Sequence, residues 1–387
     1  MTRAWSELID DAVDLRHHLH RQPELTWSEH ETAATIRRHL DAAGIAWRTC
    51  AGTGTVATLA PHAPGRHVAL RADIDAMPVQ EDTGAPYTST VDGVMHACGH
   101  DGHTATLLAA TRWLQDRGDD LPGPVTVLFQ PAEEGGHGAK RMIDDGALDG
   151  VDVIFGWHNW PAIPFGAAVC PDGPVMSANG TFTIDVVGAG GHASQPEQCR
   201  DPVLAAAAIT TALQQIVARR AAPQRALVVA VTSIDAPSAS PTVTPDTARL
   251  AGSIRVADTA QRDEVFRQIA EITAATATAH DVEATVIPAA RYGATVNHPG
   301  PAAEMRRALE KQLGSSWLAD DVLVPIMASE DFSYYLDAIP GAFALVGADD
   351  GDGHDAPCHN ARYDFNDRLI DPVASVLTRL AGAPPNS

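Results

Sequence analysis

Three apolar runs, Val68–Ala72, Val125–Gln130 and Val151–Gly156, constrain this chain more than any other feature, because each runs into a polar, acid- or histidine-bearing stretch. A helical pattern over Thr104–Leu114 lies between the first two. Buried strands alternating with helices predict an α/β domain with a largely parallel sheet. In such sheets reactive groups gather beyond the carboxyl ends of the strands. Asp73–Asp75, Glu133–Glu134 and His158 stand at those positions.

Two helices precede the runs. Trp5, Leu8, Ile9, Ala12, Val13 and Leu19 share a face over Trp5–Arg21. A second helix is expected from Ser28, paired with Glu31 as a capping box, and ending at Gly44. From about residue 178 the pattern changes. Strands are expected at Thr181–Val187, Leu227–Ile234, Arg249–Val256 and Glu283–Ile287, with an Ala-rich helix at Asp201–Arg220 and another at Thr259–His280. That β-α-β-β-α-β order is the ferredoxin-like split motif. Strands at Val322–Ile326 and Ala342–Val346 and a helix near Asp371–Leu380 then return to the first pattern. The expectation is a first domain over residues 1–177 and 291–387, interrupted by an inserted α+β domain over 178–290.

A length of 387 residues also suits two domains. The formal net charge of -22 argues against binding nucleic acid or anionic membranes, whose phosphates an acidic surface repels. The opening residues MTRAWSELIDDAVDL lack the apolar core of a signal peptide, and no apolar run approaches a membrane span. Five scattered cysteines without a C-x-x-C suit a reducing compartment, so a cytoplasmic protein is expected.

Four segments are rich in metal-ligand residue types. HACGHDGH, from His96 to His103, packs three histidines, a cysteine and an aspartate into eight positions, a poor composition for a core. Imidazole with thiolate suits zinc, manganese, cobalt or nickel. His103 opens the following helix, where capping or packing would equally explain it. PAEEGG, from Pro131 to Gly136, offers adjacent carboxylates, of which one can bind metal while the other moves protons; alone, it also reads as a solvated turn. GWHNWP, with His158, and the run Cys358-His359-Asn360 are each weak in isolation. Their combination on separate loops is what a two-metal site needs, and the RADID segment can orient ligating imidazoles. GAGG, from Gly188 to Gly191, lacks the third glycine and downstream acid of a dinucleotide fingerprint.

RADIDAMPVQE, MHACGHDGHTA, LFQPAEEGGHGAKRMIDDGAL, GWHNWP, GAGGHASQPE, MASEDFSYY and PCHNARYDFND together resemble the aminoacylase, hippurate hydrolase and auxin-conjugate amidohydrolase family of di-metal peptidases. Their order and spacing match along nearly the whole chain. The resemblance implies a hydrolase that splits N-acyl amino acids into a carboxylic acid and an amino acid, with two divalent ions per chain. Dipeptide cleavage and N-acetyl-diaminopimelate deacetylation are the alternatives within that family, and a metal-free binding relative is the alternative outside it. By resemblance, Cys98, His100, Glu134, His158 and His359 hold the metals, Glu133 is the catalytic base and Asp75 orients a ligand. His192 matches a histidine that serves the partner subunit's site and polarises the scissile carbonyl. The inserted domain then implies a homodimer or a dimer of dimers. Arg255 and Asn297 occupy positions that meet substrate, although Arg255 also reads as an exposed strand arginine. Three departures stand out: Glu197 where histidine is frequent, Ala328 where glycine is common, and Cys358 directly before His359.

Overall fold

The computed structural model describes residues 3–385, which divide into two compact units. The first unit comprises the residues up to Val175, Val296–Val324 and the stretch from Asp331 onwards. Its sheet has seven strands, ordered Trp47–Cys50, Gly54–Leu59, Val125–Gln130, Val68–Asp73, Val153–Pro164, Gly341–Asp349 and Ala168–Val169. The four strands from Val125–Gln130 to Gly341–Asp349 pair in parallel, and antiparallel pairs occur only towards the edges. Every residue of Val125–Gln130 and Val68–Asp73 is buried, as expected of parallel strands covered on both faces. Helices Trp5–Arg21, His100–Gln115, Pro299–Leu313 and Ile370–Leu380 bury their apolar faces with Phe129, Phe155, Ala342 and Ala344 of the sheet in one core.

The second unit comprises Met176–Thr295 with Pro325–Glu330. Its four antiparallel strands are ordered Leu227–Asp235, Thr247–Val256, Ala178–Val187 and Glu283–Ala290. Burial alternates residue by residue along Thr247–Val256, so one face of the sheet is packed. Phe182, Ile184, Leu250 and Ile254 from that face meet Ile209 and Leu213 of helix Pro202–Leu213 and Ile269 and Ile272 of helix Thr259–Ala279. This is the ferredoxin-like arrangement.

Several expectations need correction. The second helix runs His30–Ala42, and Ser28 does not cap it. The Glu24 carboxylate arrives from outside the helix and accepts from the N–H groups of Glu31 (3.1 Å) and Thr32 (2.8 Å). The Ala-rich helix ends at Leu213 and gives way to a π-turn at Ile216–Arg220. Val322–Ile326 is not a strand. Its last residue makes one isolated bridge to Met176, and Ser177 N–H donates to the carbonyls of Ile326 and Ala328 within the second unit. Among the described residues no helix is long and apolar enough to cross a membrane.

Candidate metal centre

Asp75 lies just beyond the buried strand Val68–Asp73 and is itself buried. Its Oδ1 accepts from the Glu133 N–H (3.1 Å), and its Oδ2 from the Glu134 N–H (3.0 Å) and the Thr26 hydroxyl (2.8 Å). Its main-chain carbonyl accepts from His100 Nδ1 at 2.9 Å. One residue therefore fixes both the PAEE loop and the His100 ring. Burial alone would raise the Asp75 carboxyl, yet His100 and the Glu134 N–H hold it below the usual carboxylate range.

The PAEE loop is folded so tightly that a non-glycine residue, Ala132, takes φ +56°. A Cβ at Gly138 would sit 1.7 Å from the Pro131 carbonyl oxygen, so only glycine closes the loop. The result separates two adjacent carboxylates. Glu133 is buried, and its Oε1 accepts from the Asp331 N–H (3.3 Å). Glu134 Oε1 is buried without a hydrogen-bond partner, 3.3 Å from His359 Nε2. His359 also has a left-handed φ, +69°, with its N–H donated to the Ala97 carbonyl at 2.7 Å. Non-glycine residues held in this region tend to cluster at functional sites.

His100 begins helix His100–Gln115, and the preceding Gly99 has φ +91°. A Cβ there would strike Tyr363 Oη and Asn159 Oδ1. With Nδ1 donating to Asp75, His100 Nε2 is buried without a hydrogen bond among the described residues, 3.5 Å from Asp73 Oδ2. Burial would lower its pKa, but Asp73 and Asp75 outweigh it and hold the ring up at about 10. His158, in strand Val153–Pro164, donates Nδ1–H to the Asn159 carbonyl (2.6 Å), and its Nε2 lies 3.3 Å from Cys98 Sγ. Burial holds His158 well below the usual imidazole range, in the neutral form that a cation requires. The Cys98 thiol is pushed well up by the neighbouring Cys358 thiol, by burial and by the carboxylates of Glu134 and Glu133. A cation bound there would have to displace protons from Cys98 and His100.

Candidate ligand atoms fall into overlapping triples, each within 4.8 Å: Cys98–His100–His158, Cys98–Glu134–His359 and His100–Glu133–Glu134. Cys98 belongs to the first two. His103 faces the same region, but its Nδ1 meets Asp73 Oδ1 (2.6 Å) and its Nε2 meets Asn159 Oδ1 (2.7 Å). Both nitrogens are engaged. His96 is buried among His20 and its neighbours, and burial lowers it to about 4.

The other expected site residues lie elsewhere. His192 and Arg255 belong to the second unit. His192 is exposed, and its Nδ1 accepts from the Ser194 N–H (3.1 Å), which leaves the ring proton on Nε2. Arg255 is partly buried, donates to Ser329 Oγ (3.0 Å), and has no carboxylate partner among the described residues. Asn297 is buried in the first unit. Its amide bonds the N–H and carbonyl of Phe343 (2.7 and 2.9 Å) and the Pro171 carbonyl (3.1 Å). Sequence reading missed the supports Arg71, Gln130 and Asp331. Asp331 accepts from Arg71 Nη2 (3.1 Å), Gln130 Nε2 (2.8 Å) and the Ala139 N–H (2.9 Å) behind the loop. The lone arginine inside the apolar run before Asp73 was the available signal.

Residues 69–383 match the family model described as peptidase family M20/M25/M40. The chain belongs to this family. It is 40% identical over 90% of its length to the N-acetyl-L-cysteine deacetylase of Bacillus subtilis, covering 83% of that protein. With the hippurate hydrolase of Campylobacter jejuni it shares 36% identity over 97% of this chain and 98% of the other. In structure it resembles the Bacillus subtilis YXEP protein, a dinuclear metal-binding peptidase from the M20 family. The TM-score is 0.83 at 29% identity, covering 97% of this chain and 98% of that one. As a member of the M20 family, the chain is a hydrolase acting on amide bonds.

Proposed function

We propose that this M20 enzyme hydrolyses N-acyl amino acids at a centre holding two divalent cations. The observation that carries this reading is the pair of ligand triples sharing Cys98, with the Glu133 carboxylate beside them. The residues fit such a centre. His100 Nε2 and Glu134 Oε1 are buried without hydrogen-bond partners, a cost that a cation would remove. Nitrogen, sulfur and oxygen donors together suit zinc, manganese, cobalt or nickel. Cys98, His100 and His158 would hold one ion, and Cys98, Glu134 and His359 the other.

Bound there, the ions would supply an acidified water and draw electron density from the acyl carbonyl. Glu133 takes the proton from the attacking water and delivers it to the leaving amine. Asp75 keeps the Glu133 backbone and the His100 ring in place. His192, donating from Nε2, is the proposed stabiliser of the developing oxyanion, supplied by the partner subunit of a dimer. Arg255 is the proposed partner of the substrate carboxylate, since no carboxylate pairs with its charge among the described residues. The deacetylase and hippurate hydrolase relatives support an N-acyl amino acid as substrate.

A panel of N-acetyl, N-benzoyl and indole-acetyl amino acids, with dipeptides as competitors, tests the reading after loading with Mn, Co or Zn. The expected kcat/KM favours at least one N-acyl amino acid over every dipeptide by roughly tenfold or more. A dipeptide turned over faster would overturn it.

A further inference from the structure

The peptide joining Cys358 to His359 docks on the one joining Ala97 to Cys98, through the hydrogen bond from the His359 N–H to the Ala97 carbonyl at 2.7 Å. That contact places the two cysteines beside each other. Both thiols are free. Asn159 links the two segments: its Nδ2 lies 4.0 Å from Cys358 Sγ, while its Oδ1 side packs against Gly99, the residue after Cys98. Their exposures differ. Cys98 is 7% exposed, whereas Cys358 is only partly buried and open to a small reagent. Cys358 belongs to none of the ligand triples, so the metal centre does not account for it.

We propose that Cys98 and Cys358 form an oxidative modification site, in which a hydroperoxide converts the pair to a disulfide and takes Cys98 away from the metal centre. In the first step the Cys358 sulfur attacks the terminal oxygen of the hydroperoxide ROOH and breaks the O–O bond, giving a sulfenic acid and ROH, which is water when the oxidant is hydrogen peroxide. In the second, the Cys98 sulfur attacks the sulfenic sulfur, forms the S–S bond and expels water. Two thiols lose two electrons, and one peroxide is reduced. A sulfur held in a disulfide is no longer a thiolate ligand. Since Cys98 belongs to both triples, both ions are affected. A dithiol reverses the step by exchange. The consequence for metal rests on the reading of Cys98 as a ligand; the pairing itself does not.

The test treats the metal-loaded enzyme with hydrogen peroxide and follows three quantities: activity, metal released to a colorimetric chelator, and the peptide linking Cys98 to Cys358 by mass spectrometry. The expected result is that all three change together, and that dithiothreitol with added metal restores activity. Cys358→Ser, outside the proposed catalytic machinery, should keep its basal activity, lose the crosslink and lose the reversible phase. Enzyme that holds two ions but never forms the crosslink overturns the site, and this arm needs only the wild-type chain. A crosslink that forms in metal-loaded enzyme without release of metal would overturn the ligand reading, and the metal switch with it. A Cys358→Ser enzyme inactivated and rescued like the wild type would also overturn the proposal.

Discussion

His100 donates its Nδ1–H to the main-chain carbonyl of Asp75, 2.9 Å away, and this fixes which nitrogen is left for a cation. Because the Asp75 carboxylate also carries the N–H groups of Glu133 and Glu134, its removal loosens two separate parts of the centre. Asp75→Ala should lower metal affinity or kcat by roughly 10–100-fold, as losses behind a ligand typically do. Metal content after dialysis, read beside kcat, checks this. Unchanged values in both would show that Asp75 is not a support.

The adjacent carboxylates should separate cleanly. Glu133→Gln keeps the shape but accepts no proton, so kcat is expected to fall by at least about 100-fold with metal content nearly unchanged. Glu134→Gln removes the carboxylate 3.3 Å from His359 and should lose metal. Two variants behaving alike in both assays would contradict the assignment.

The buried ion cluster at helix Trp5–Arg21 predicts a pH dependence of stability. His20 meets Asp101 (2.7 Å) and Glu81 (3.3 Å). Burial presses it down, but these carboxylates hold it up at about 9. Its folded pKa lies above its ordinary value of 6.5, so its stabilising effect is full below pH 6.5 and is lost as the pH rises towards 9. At 1.36 kcal/mol per unit that is a loss of roughly 3 kcal/mol. Urea unfolding at pH 6 and 9.5 should show a larger drop for the wild type than for His20→Gln. Equal drops would remove His20 from the account.

His192 calls for a mixing experiment. His192→Ala and Glu133→Gln subunits should each be nearly inactive alone. Mixed dimers should regain up to about half of wild-type activity if His192 serves the partner's site, since one of the two sites is then intact. No recovery despite demonstrated subunit exchange would place its action within its own chain or remove it altogether.

The sheet was legible because Val125–Gln130 and Val68–Asp73 are buried on both faces and so read as unbroken apolar runs. Cys98 and His100 stood out because HACGHDGH, which runs into helix His100–Gln115, is a poor composition for a core, and Glu134 because it follows the buried strand Val125–Gln130. What sequence concealed was pairing over distance. Glu24 displaced Ser28 as the cap of the second helix, and Phe343 claimed the Asn297 amide from 46 positions away. The edge strand Trp47–Cys50 and its neighbour Gly54–Leu59 were missed: the first has only four residues with two of them exposed, and the second mixes Gly and Thr into its buried run. His103 and Asp331 carry the same residue types as ligands or bases, and only their hydrogen bonds show that they act as supports.

The central claim, a two-cation centre built on Cys98, is tested most directly by metal titration of the exhaustively chelated enzyme, with N-acyl amino acid hydrolysis as the readout. The account predicts negligible activity without metal and a return that saturates near two ions per chain. Full activity after exhaustive chelation would contradict it.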